Sequence, residues 1–365
     1  MRTTSCKALP EVVSSCYNFY MQMTSTKTEN LTVILLGILV LIALGGVAYI
    51  LRGIILPFLV AVFLAYLLDP VVRLLSRIHV PHAIATCMAL LSTFVLLFII
   101  GILLYAGVLS FVKGYPLYEP KLRALITLGT SYLEFLPADW RIADLGKQLA
   151  STSVTNALLS SLGSSLTLAG HLLLTFIFMI FILIGQRHLP RRIYHAFEVE
   201  QAQRLCDIIQ RITRDLQTYL GAKVLISLVT GILVNLYLVF LEIDFAILWG
   251  VLAFILNFIP SLGSTLAAIP PVLIAILKFN SIMPAVWTAA GLMAINILLG
   301  GLIEPRVMGQ RLNLSPLLVV LSLLFWGWLW GITGMVLSVP IMATIKIVCE
   351  NIPSLRFISV LMSSK

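Results

Sequence analysis

The chain alternates long apolar runs with short charged segments, which is the pattern of a protein that crosses a membrane several times. A helix of about 20 apolar residues spans a hydrocarbon core of about 30 Å, and most of the runs are close to this length. The runs that predict single spans are residues 31–50, 54–68, 83–106, 166–185, 219–241 and 282–303. Two longer stretches bring the total to about eight hydrophobic segments. The predicted fold class is an all-α polytopic membrane protein.

The first long stretch, residues 245–277, carries no charged residue over 33 positions and is too long for one crossing. One helix of that length would rise about 50 Å, whereas two full spans would need about 40 residues. Its centre is polar and contains helix breakers. Broken backbone at membrane depth survives only where protein or a water-filled cavity satisfies its polar groups. We therefore predict a substrate site at Asn257, Pro260, Ser261, Gly263, Ser264 and Thr265.

A structural interpretation of these polar residues stays open beside the functional one. Asn, Ser and Thr also cap helix ends, and a break in a helix creates two such ends. Asn235 and Asn296 lie inside apolar spans, where polar residues are costly and tend to face the interior of the bundle. We add both to the predicted substrate site, although hydrogen bonds between helices explain them equally well.

The second long stretch, residues 314–345, allows two threadings of the chain. If Arg306 and Arg311 face the cytoplasm, 245–277 enters and leaves on the outer side and 314–345 on the inner side, as two opposed re-entrant hairpins. Such pairs are known in transporters. Alternatively, both stretches are single kinked spans, with Lys278 inside and both arginines outside. Positive charge accumulates in cytoplasmic loops, so two arginines against one lysine favour the hairpins.

The segment after residues 282–303 is a candidate for coupling or gating. Pro305 lacks a backbone amide, so the helix is expected to end there. Burial would favour the neutral form of Glu304 and the nearby arginines its ionised form, which makes coupling to protons or cations one interpretation. A salt bridge at a helix end is the other. The predicted coupling or gating residues are Glu304, Pro305, Arg306, Gly309 and Arg311.

The distribution of charge divides the chain into seven segments. Apolar residues recur at helical spacing in 107–165, and Arg alternates with acids in 187–217, which predicts amphipathic helices in both. We predict a cytoplasmic extension (1–30), a first membrane bundle (31–106), a small non-cytoplasmic helical module (107–165), a span (166–186), a cytoplasmic amphipathic helix (187–217), a core transport region (218–348) and a cytoplasmic tail (349–365). Both termini are then cytoplasmic.

Composition narrows the function. The chain is 60% hydrophobic and only 11% charged, with a mean hydropathy of +1.06, which excludes a soluble domain. The net charge of +9 fits positive cytoplasmic loops, so we predict membrane lipid as a partner and no nucleic acid. The five cysteines form no CxxC pair, and the chain lacks GxxxxGK[ST], HExxH and GxSxG. We predict no enzyme activity, no cofactor and no metal site.

Several motifs resemble the autoinducer-2 exporter family of bacterial membrane transporters. They are 257–263 (NFIPSLG), 269–270 (IP), 303–309 (IEPRVMG), 312–316 (LNLSP) and 326–335 (WGWLWGITGM), with 67–70 (LLDP) near the beginning. The resemblance covers about residues 31–354, is specific in the last third and weak in 107–165. The first thirty residues depart from the family pattern.

The resemblance implies a homo-oligomer, a pentamer, in the bacterial inner (cytoplasmic) membrane. It implies a secondary transporter that exports a small polar solute, with autoinducer-2 as a candidate. Other members resemble sodium-proton antiporters, so the alternative is a sodium(potassium)/proton antiporter in which Glu304 and Asp69 titrate. Antiporters usually carry an acidic residue well inside a span. The central parts of the predicted spans here hold only amide and hydroxyl side chains, which counts against the antiporter.

Overall fold

The computed structural model of the chain describes residues 35–37, 39–40, 42–132, 165–186, 188–260, 262–308 and 314–363. These residues are almost entirely helical and contain no strand, only an isolated bridge between Leu314 and Ser363. The helices are α1 (Leu35–Ile50), α2 (Arg52–Arg77), α3 (His82–Tyr132), α4 (Ser165–Gln186), α5 (Leu189–Ala196), α6 (Val199–Phe240), α7 (Ala246–Leu256), α8 (Gly263–Phe279), α9 (Ile282–Asn296), α10 (Glu304–Met308), α11 (Pro316–Asn351) and α12 (Arg356–Met362). A π-helix, Ile297–Ile303, joins α9 to α10.

Six helices in the described part of the chain are long and apolar enough to cross a membrane, and shorter apolar helices accompany them. The long ones are α2, α3, α4, α6, α11 and the continuous segment Ile282–Val307. The predicted fold class is confirmed. The described residues up to Ile55 form one compact unit, and those from Leu56 onward form another. In the first unit, the guanidinium of Arg52 lies 4.9 Å from the centre of the Tyr49 ring.

Three helices are longer than the hydrophobic runs predicted. The second does not stop at Asp69-Pro70 but runs to Arg77. The third continues past Ala106 to Tyr132, so the first part of the predicted module 107–165 is helix, and residues 133–164 lie outside the described part. The predicted surface helix and fifth span form one helix of 42 residues, α6. Hydropathy marks where apolar surface ends, and a helix can continue through that point because its backbone bonds are internal.

The core is organised around α6. The largest buried cluster joins α6 to α7 and α8 and includes Leu238, Trp249 and Ile274. A second cluster holds α2, α3 and α4 together, and a third joins α2, α6 and α11 through Phe63, Leu216 and Leu337. The helix α6 therefore contacts both of the long apolar stretches.

The stretch 245–277 is a helical hairpin whose two ends lie together. The Lys278 Nζ atom lies 2.8 Å from Asp244 Oδ1 and donates to the Glu242 carbonyl at 2.5 Å. Asp244 precedes α7 and Lys278 lies in the last turn of α8, so the chain enters and leaves at one place. From α3, Tyr118 donates to the Asp244 carboxylate and Lys121 to the Leu277 carbonyl. The stretch is therefore a helical hairpin rather than one kinked helix, which is the shape that the re-entrant threading predicts.

The stretch 314–345 also reverses direction, at Gly331. This residue has φ +66° and ψ −148°, which only glycine adopts readily. A Cβ atom on Gly334 would lie 2.0 Å from the Trp326 carbonyl oxygen, and one on Gly327 would lie 2.8 Å from Met335 Cε. Residues eight apart in an unbroken helix are separated by about 12 Å. The two parts of α11, 316–330 and 332–351, therefore fold back on each other as a second hairpin.

The two hairpins open at opposite ends of α6. The first opens beside Glu242, just after the C-terminus of α6. In the second, the Asn351 carbonyl accepts a hydrogen bond of 3.0 Å from Arg204, near the N-terminus of α6, and Arg211 lies 3.2 Å from Glu350. The hairpins therefore approach each other along α6 from opposite directions, as the first threading predicts.

This arrangement predicts a labelling pattern. In a cysteine-free background, single cysteines at Glu242 and Ser281, which are both exposed, should react with a membrane-impermeant maleimide from the same side of the membrane. A cysteine at Arg204 should react only from the other side. Labelling of positions 242 and 281 from opposite sides would contradict the hairpin.

Candidate functional site

A buried polar stripe runs along one face of α6. Tyr219, Lys223, Ser227 and Thr230 follow one another at intervals of four, four and three residues, so their side chains share a face. All four are buried, and Ser227 is fully inaccessible. Polar groups in a membrane helix are costly and mark solute pathways or helix contacts. This stripe is the candidate functional site.

The centre of the stripe is an ion pair between Lys223 and Glu304. The Nζ and Oε1 atoms are 2.6 Å apart, and the Lys223 side chain is only 4% exposed against 21% for Glu304. Two desolvated charges are stable in such a place only if they are paired. The pair joins α6 to the first residue of α10.

A π-helix precedes Glu304 directly. The segment Ile297–Ile303 widens the helix that began as α9, and α10 starts at Glu304. Short π-helical segments inside α-helices occur frequently at functional sites, because the extra residue changes which face a side chain occupies. The π-helix thus sets the direction of Glu304 toward α6. Gly300, within this segment, faces the Asn296 side chain: a Cβ on it would lie 3.1 Å from Asn296 Oδ1.

The turn of the first hairpin reaches the same stripe. The Asn257 amide, buried at the end of α7, donates a hydrogen bond of 3.0 Å to the Ser227 hydroxyl. Ser227 lies one helical turn from Lys223. The hairpin therefore places its turn beside the ion pair.

The turn of the second hairpin approaches this level from the other direction. Leu337 packs with Leu216 of α6, and Asn351 contacts Arg204 further toward the N-terminus. The second half of α11 is thus antiparallel to α6. Gly331 lies six residues before Leu337, and Lys223 lies seven residues after Leu216, which is about 10 Å along each helix. Both hairpins therefore turn near the level of Lys223.

The residues predicted for substrate binding differ in burial and in their contacts. Asn257 joins the stripe, and Gly263 closes the turn, where a Cβ would lie 1.7 Å from the Leu256 carbonyl oxygen. Pro260 is part of that turn, and Thr265 is exposed. Ser264 and Asn296 are half-buried, and Ser261 lies outside the described residues. The Oδ1 atom of Asn235 is buried with no hydrogen-bond partner among the described residues.

Among the described residues predicted for coupling or gating, which are Glu304, Pro305 and Arg306, only Glu304 contacts the stripe. The prediction that the helix ends at Pro305 is wrong, because the helix continues to Met308. Pro305 follows the π-helix almost directly, where the regular bonding to the carbonyl four residues back is already interrupted, so its missing amide does not end the helix. Arg306 is exposed, while Gly309 and Arg311 lie outside the described residues.

Sequence reasoning missed Lys223, Ser227 and Tyr219. Lys223 is buried on α6, so the stripe holds a charged group beside the amides and hydroxyls that sequence reasoning expected. A signal was present: Tyr219, Lys223 and Ser227 stand four residues apart inside an otherwise apolar run. Such spacing places polar groups on one helix face.

The open end of the first hairpin carries a carboxyl group with a lowered pKa. Partial burial of Asp244 opposes its ionisation. Hydrogen bonds from Lys278 and Tyr118, with the positive charge of Lys278, outweigh burial and hold the pKa of Asp244 below its ordinary value. The ion pair between Asp244 and Lys278 holds the two ends of the first hairpin together.

Acidification should therefore loosen the hairpin. A carboxyl group with a lowered pKa stabilises the fold above its unfolded pKa of about 3.9, and the contribution is lost as the pH falls through the folded pKa. Asp244 is 38% exposed, so solvent screening limits the effect to about 1 kcal/mol. We expect the Tm of the purified protein to fall more between about pH 5 and pH 3 than that of Asp244→Asn. Parallel curves for the two proteins would contradict the assignment.

Comparisons with known proteins agree on one family. The family model for AI-2E family transporters matches residues 38–354. The AI-2 transport protein TqsA of Escherichia coli (strain K12) is 36% identical over 339 residues, which cover 91% of this chain and 95% of that protein. A transport protein of Haemophilus influenzae is 33% identical over 335 residues, covering 89% and 94%. The transport protein YhhT of Escherichia coli (strain K12) is 32% identical over 325 residues, covering 86% and 91%.

Proposed function

Because this chain belongs to the AI-2E family of membrane transporters, we propose that it exports a small polar solute by secondary transport, with autoinducer-2 as the first candidate. TqsA is named for AI-2 transport, and most of this chain aligns with it. Membership of a family does not fix a substrate, so the choice of solute depends on the site. Membership of a transporter family also agrees with the prediction that the chain is not an enzyme.

The observation that carries this proposal is that both hairpins pack against α6 from opposite ends and turn near the level of its buried stripe. The stripe offers a hydroxyl at Ser227 and an amide at Asn257, with the Lys223–Glu304 pair one turn away. Discontinuous helices that meet at mid-membrane are the common site of solute binding in secondary transporters. Hydroxyl and amide groups of this kind bind a neutral polyhydroxylated solute by exchanging hydrogen bonds with it.

Transport by purified protein in liposomes tests the proposal. We expect Asn257→Ala to reduce autoinducer-2 transport at least tenfold, because it removes one buried hydrogen-bonding group from the site, which is worth about 1–3 kcal/mol. Ser281→Ala is the matched control, since Ser281 lies just after the same hairpin, is exposed and caps no helix with its side chain. Equal rates in the two variants, or no transport by the unmodified protein, would contradict the proposal.

A second candidate function is antiport of sodium or potassium against protons. The Lys223–Glu304 pair favours it, because a buried pair of titratable groups is a common element of proton pathways in membranes. Asp69, the other predicted titrating group, has an ordinary structural explanation: it lies 2.6 Å from Arg73 Nη2 and accepts a hydrogen bond from Gln217. Collapse of a preset pH gradient on addition of sodium, abolished by Glu304→Gln, would favour antiport over solute export.

The remaining proposals concern assembly and placement. The family resemblance supports a homopentamer in the bacterial inner membrane, with cytoplasmic termini and contacts to membrane lipid. Native mass spectrometry of protein released from detergent micelles measures the number of subunits directly. A mass of one subunit at working concentration would contradict the pentamer.

A further inference from the structure

A cavity of about 580 Å³ lies outside the stripe, at the N-terminal half of α6. The end of α4, the short helix α5 and the C-terminal half of α2 complete its walls. Its volume is within the range of about 300–1,000 Å³ typical of small-molecule sites. The solute site described above does not use it.

The walls of this cavity offer guanidinium and amide hydrogen-bond donors. Arg73 and Arg214 line it together with Asp207, and the Arg73 guanidinium is paired with Asp69 at 2.6 Å. The Asp69 carboxylate beside Arg73 also accepts from Gln217, and a guanidinium with five N–H groups keeps further donors. The amide nitrogen of Gln186 is buried and has no hydrogen-bond partner among the described residues. Such a lining fits a ligand that is anionic and accepts several hydrogen bonds, as a phosphate group does.

The position of the cavity favours a ligand from the membrane. The candidate span of α4 ends at Gln186, one of the lining residues, so the cavity lies where this helix leaves the apolar layer. The next helix, α5, exposes the apolar side chains of Leu189 and Tyr194 together with Arg191 and Arg192. A short helix with exposed apolar and basic side chains is typical of a segment that lies in the headgroup region.

We propose that this cavity binds the phosphate headgroup of an anionic phospholipid. The guanidinium of Arg214 and the amides of Gln186 and Gln210 bind the phosphate oxygens, and the acyl chains leave along the apolar surface beside Leu189. Basic pockets at the ends of membrane helices bind anionic headgroups in this way. The lipid would thereby connect α4, α5 and α6.

Binding is measured on the purified protein in a neutral detergent, as the rise in Tm and as lipid retained in native mass spectrometry. The probes are phosphatidylglycerol, phosphatidylcholine and inorganic phosphate. We expect stabilisation by phosphatidylglycerol at concentrations where phosphatidylcholine has none. Arg214→Gln should weaken the apparent affinity about tenfold, which corresponds to about 1.4 kcal/mol, because it removes a charged hydrogen-bond donor. Arg192→Gln is the matched control, because Arg192 is exposed, nearby and outside the cavity.

The outcomes separate the interpretations. Stabilisation by inorganic phosphate that Arg214→Gln weakens but Arg192→Gln does not would keep the phosphate site and assign it to a soluble ligand. Equal effects of the two lipids, or equal losses in Arg214→Gln and Arg192→Gln, would overturn the proposal. Gln210→Leu, which removes a donor without changing charge, provides a second variant if Arg214→Gln does not fold. An unchanged affinity in Gln210→Leu would then overturn it.

Discussion

Replacing Glu304 by leucine should abolish transport and destabilise the protein by about 3–5 kcal/mol, because the Lys223 ammonium then remains buried without its counter-ion. Lys223 is 4% exposed, so water cannot replace the lost partner. The Tm of the purified variant and its transport rate in liposomes measure the two effects.

The double variant Lys223→Met with Glu304→Leu distinguishes stability from function. Apolar pairs of similar volume often replace a buried ion pair without loss of stability. We therefore expect the double variant to regain most of the lost Tm but none of the transport. Arg192→Met removes a charge at an exposed position outside the stripe and should leave both the Tm and the transport rate unchanged. Transport by the double variant at the unmodified rate would exclude the ion pair from the mechanism.

Replacing Gly263 by alanine should prevent the first hairpin from closing. The added Cβ would lie 1.7 Å from the Leu256 carbonyl oxygen, and backbone atoms cannot rotate away as a flexible side chain can. Overpacking commonly costs about 1–3 kcal/mol, and a clash with backbone belongs at or above the upper end. We expect little folded protein after purification, measured as monodisperse yield in size-exclusion chromatography.

The control for this prediction is Gly221→Ala. Gly221 lies within α6, and nothing lies within 4 Å of a Cβ built on it. Alanine is a better helix former than glycine by about 1 kcal/mol, so this variant should be at least as stable as the unmodified protein. Gly334→Ala, whose Cβ would lie 2.0 Å from the Trp326 carbonyl oxygen, should fail like Gly263→Ala, because the second hairpin has the same kind of close turn. Equal yields of Gly263→Ala and Gly221→Ala would contradict the tight turn.

The sequence predicted both hairpins because each left a visible local signal. Pro260 and Gly263 interrupt a stretch whose length fits neither one span nor two, and glycines cluster where the second stretch reverses. Length and helix breakers are local properties, which a single sequence contains in full. The threading followed from these signals and from the positions of a few basic residues.

The ion pair could not be predicted in the same way. Proximity in the chain suggests Arg306 and Arg311 as ion-pair partners of Glu304. Its partner in the structure is Lys223, which lies 81 residues away on α6. Pairing at that distance depends on the antiparallel packing of Ile282–Val307 against α6, which Tyr237 and the Trp287 carbonyl also join by a hydrogen bond of 2.7 Å. A hydropathy value is an average over a window of residues, so one lysine among apolar neighbours hardly changes it. The extension of α6 through the predicted boundary at 217 was missed for the same reason.

The continuity of α6 has a mechanical consequence. Its 42 residues rise about 63 Å, roughly twice the thickness of a hydrocarbon layer, with no proline to bend them. The arginines that bind the end of the second hairpin and the lysine that binds Glu304 are thus carried by one stiff rod. A change in tilt at the N-terminal end of α6 therefore also moves Lys223 and the proposed solute site. A ligand or antibody fragment that fixes the N-terminal end of α6 would then stop transport without touching that site.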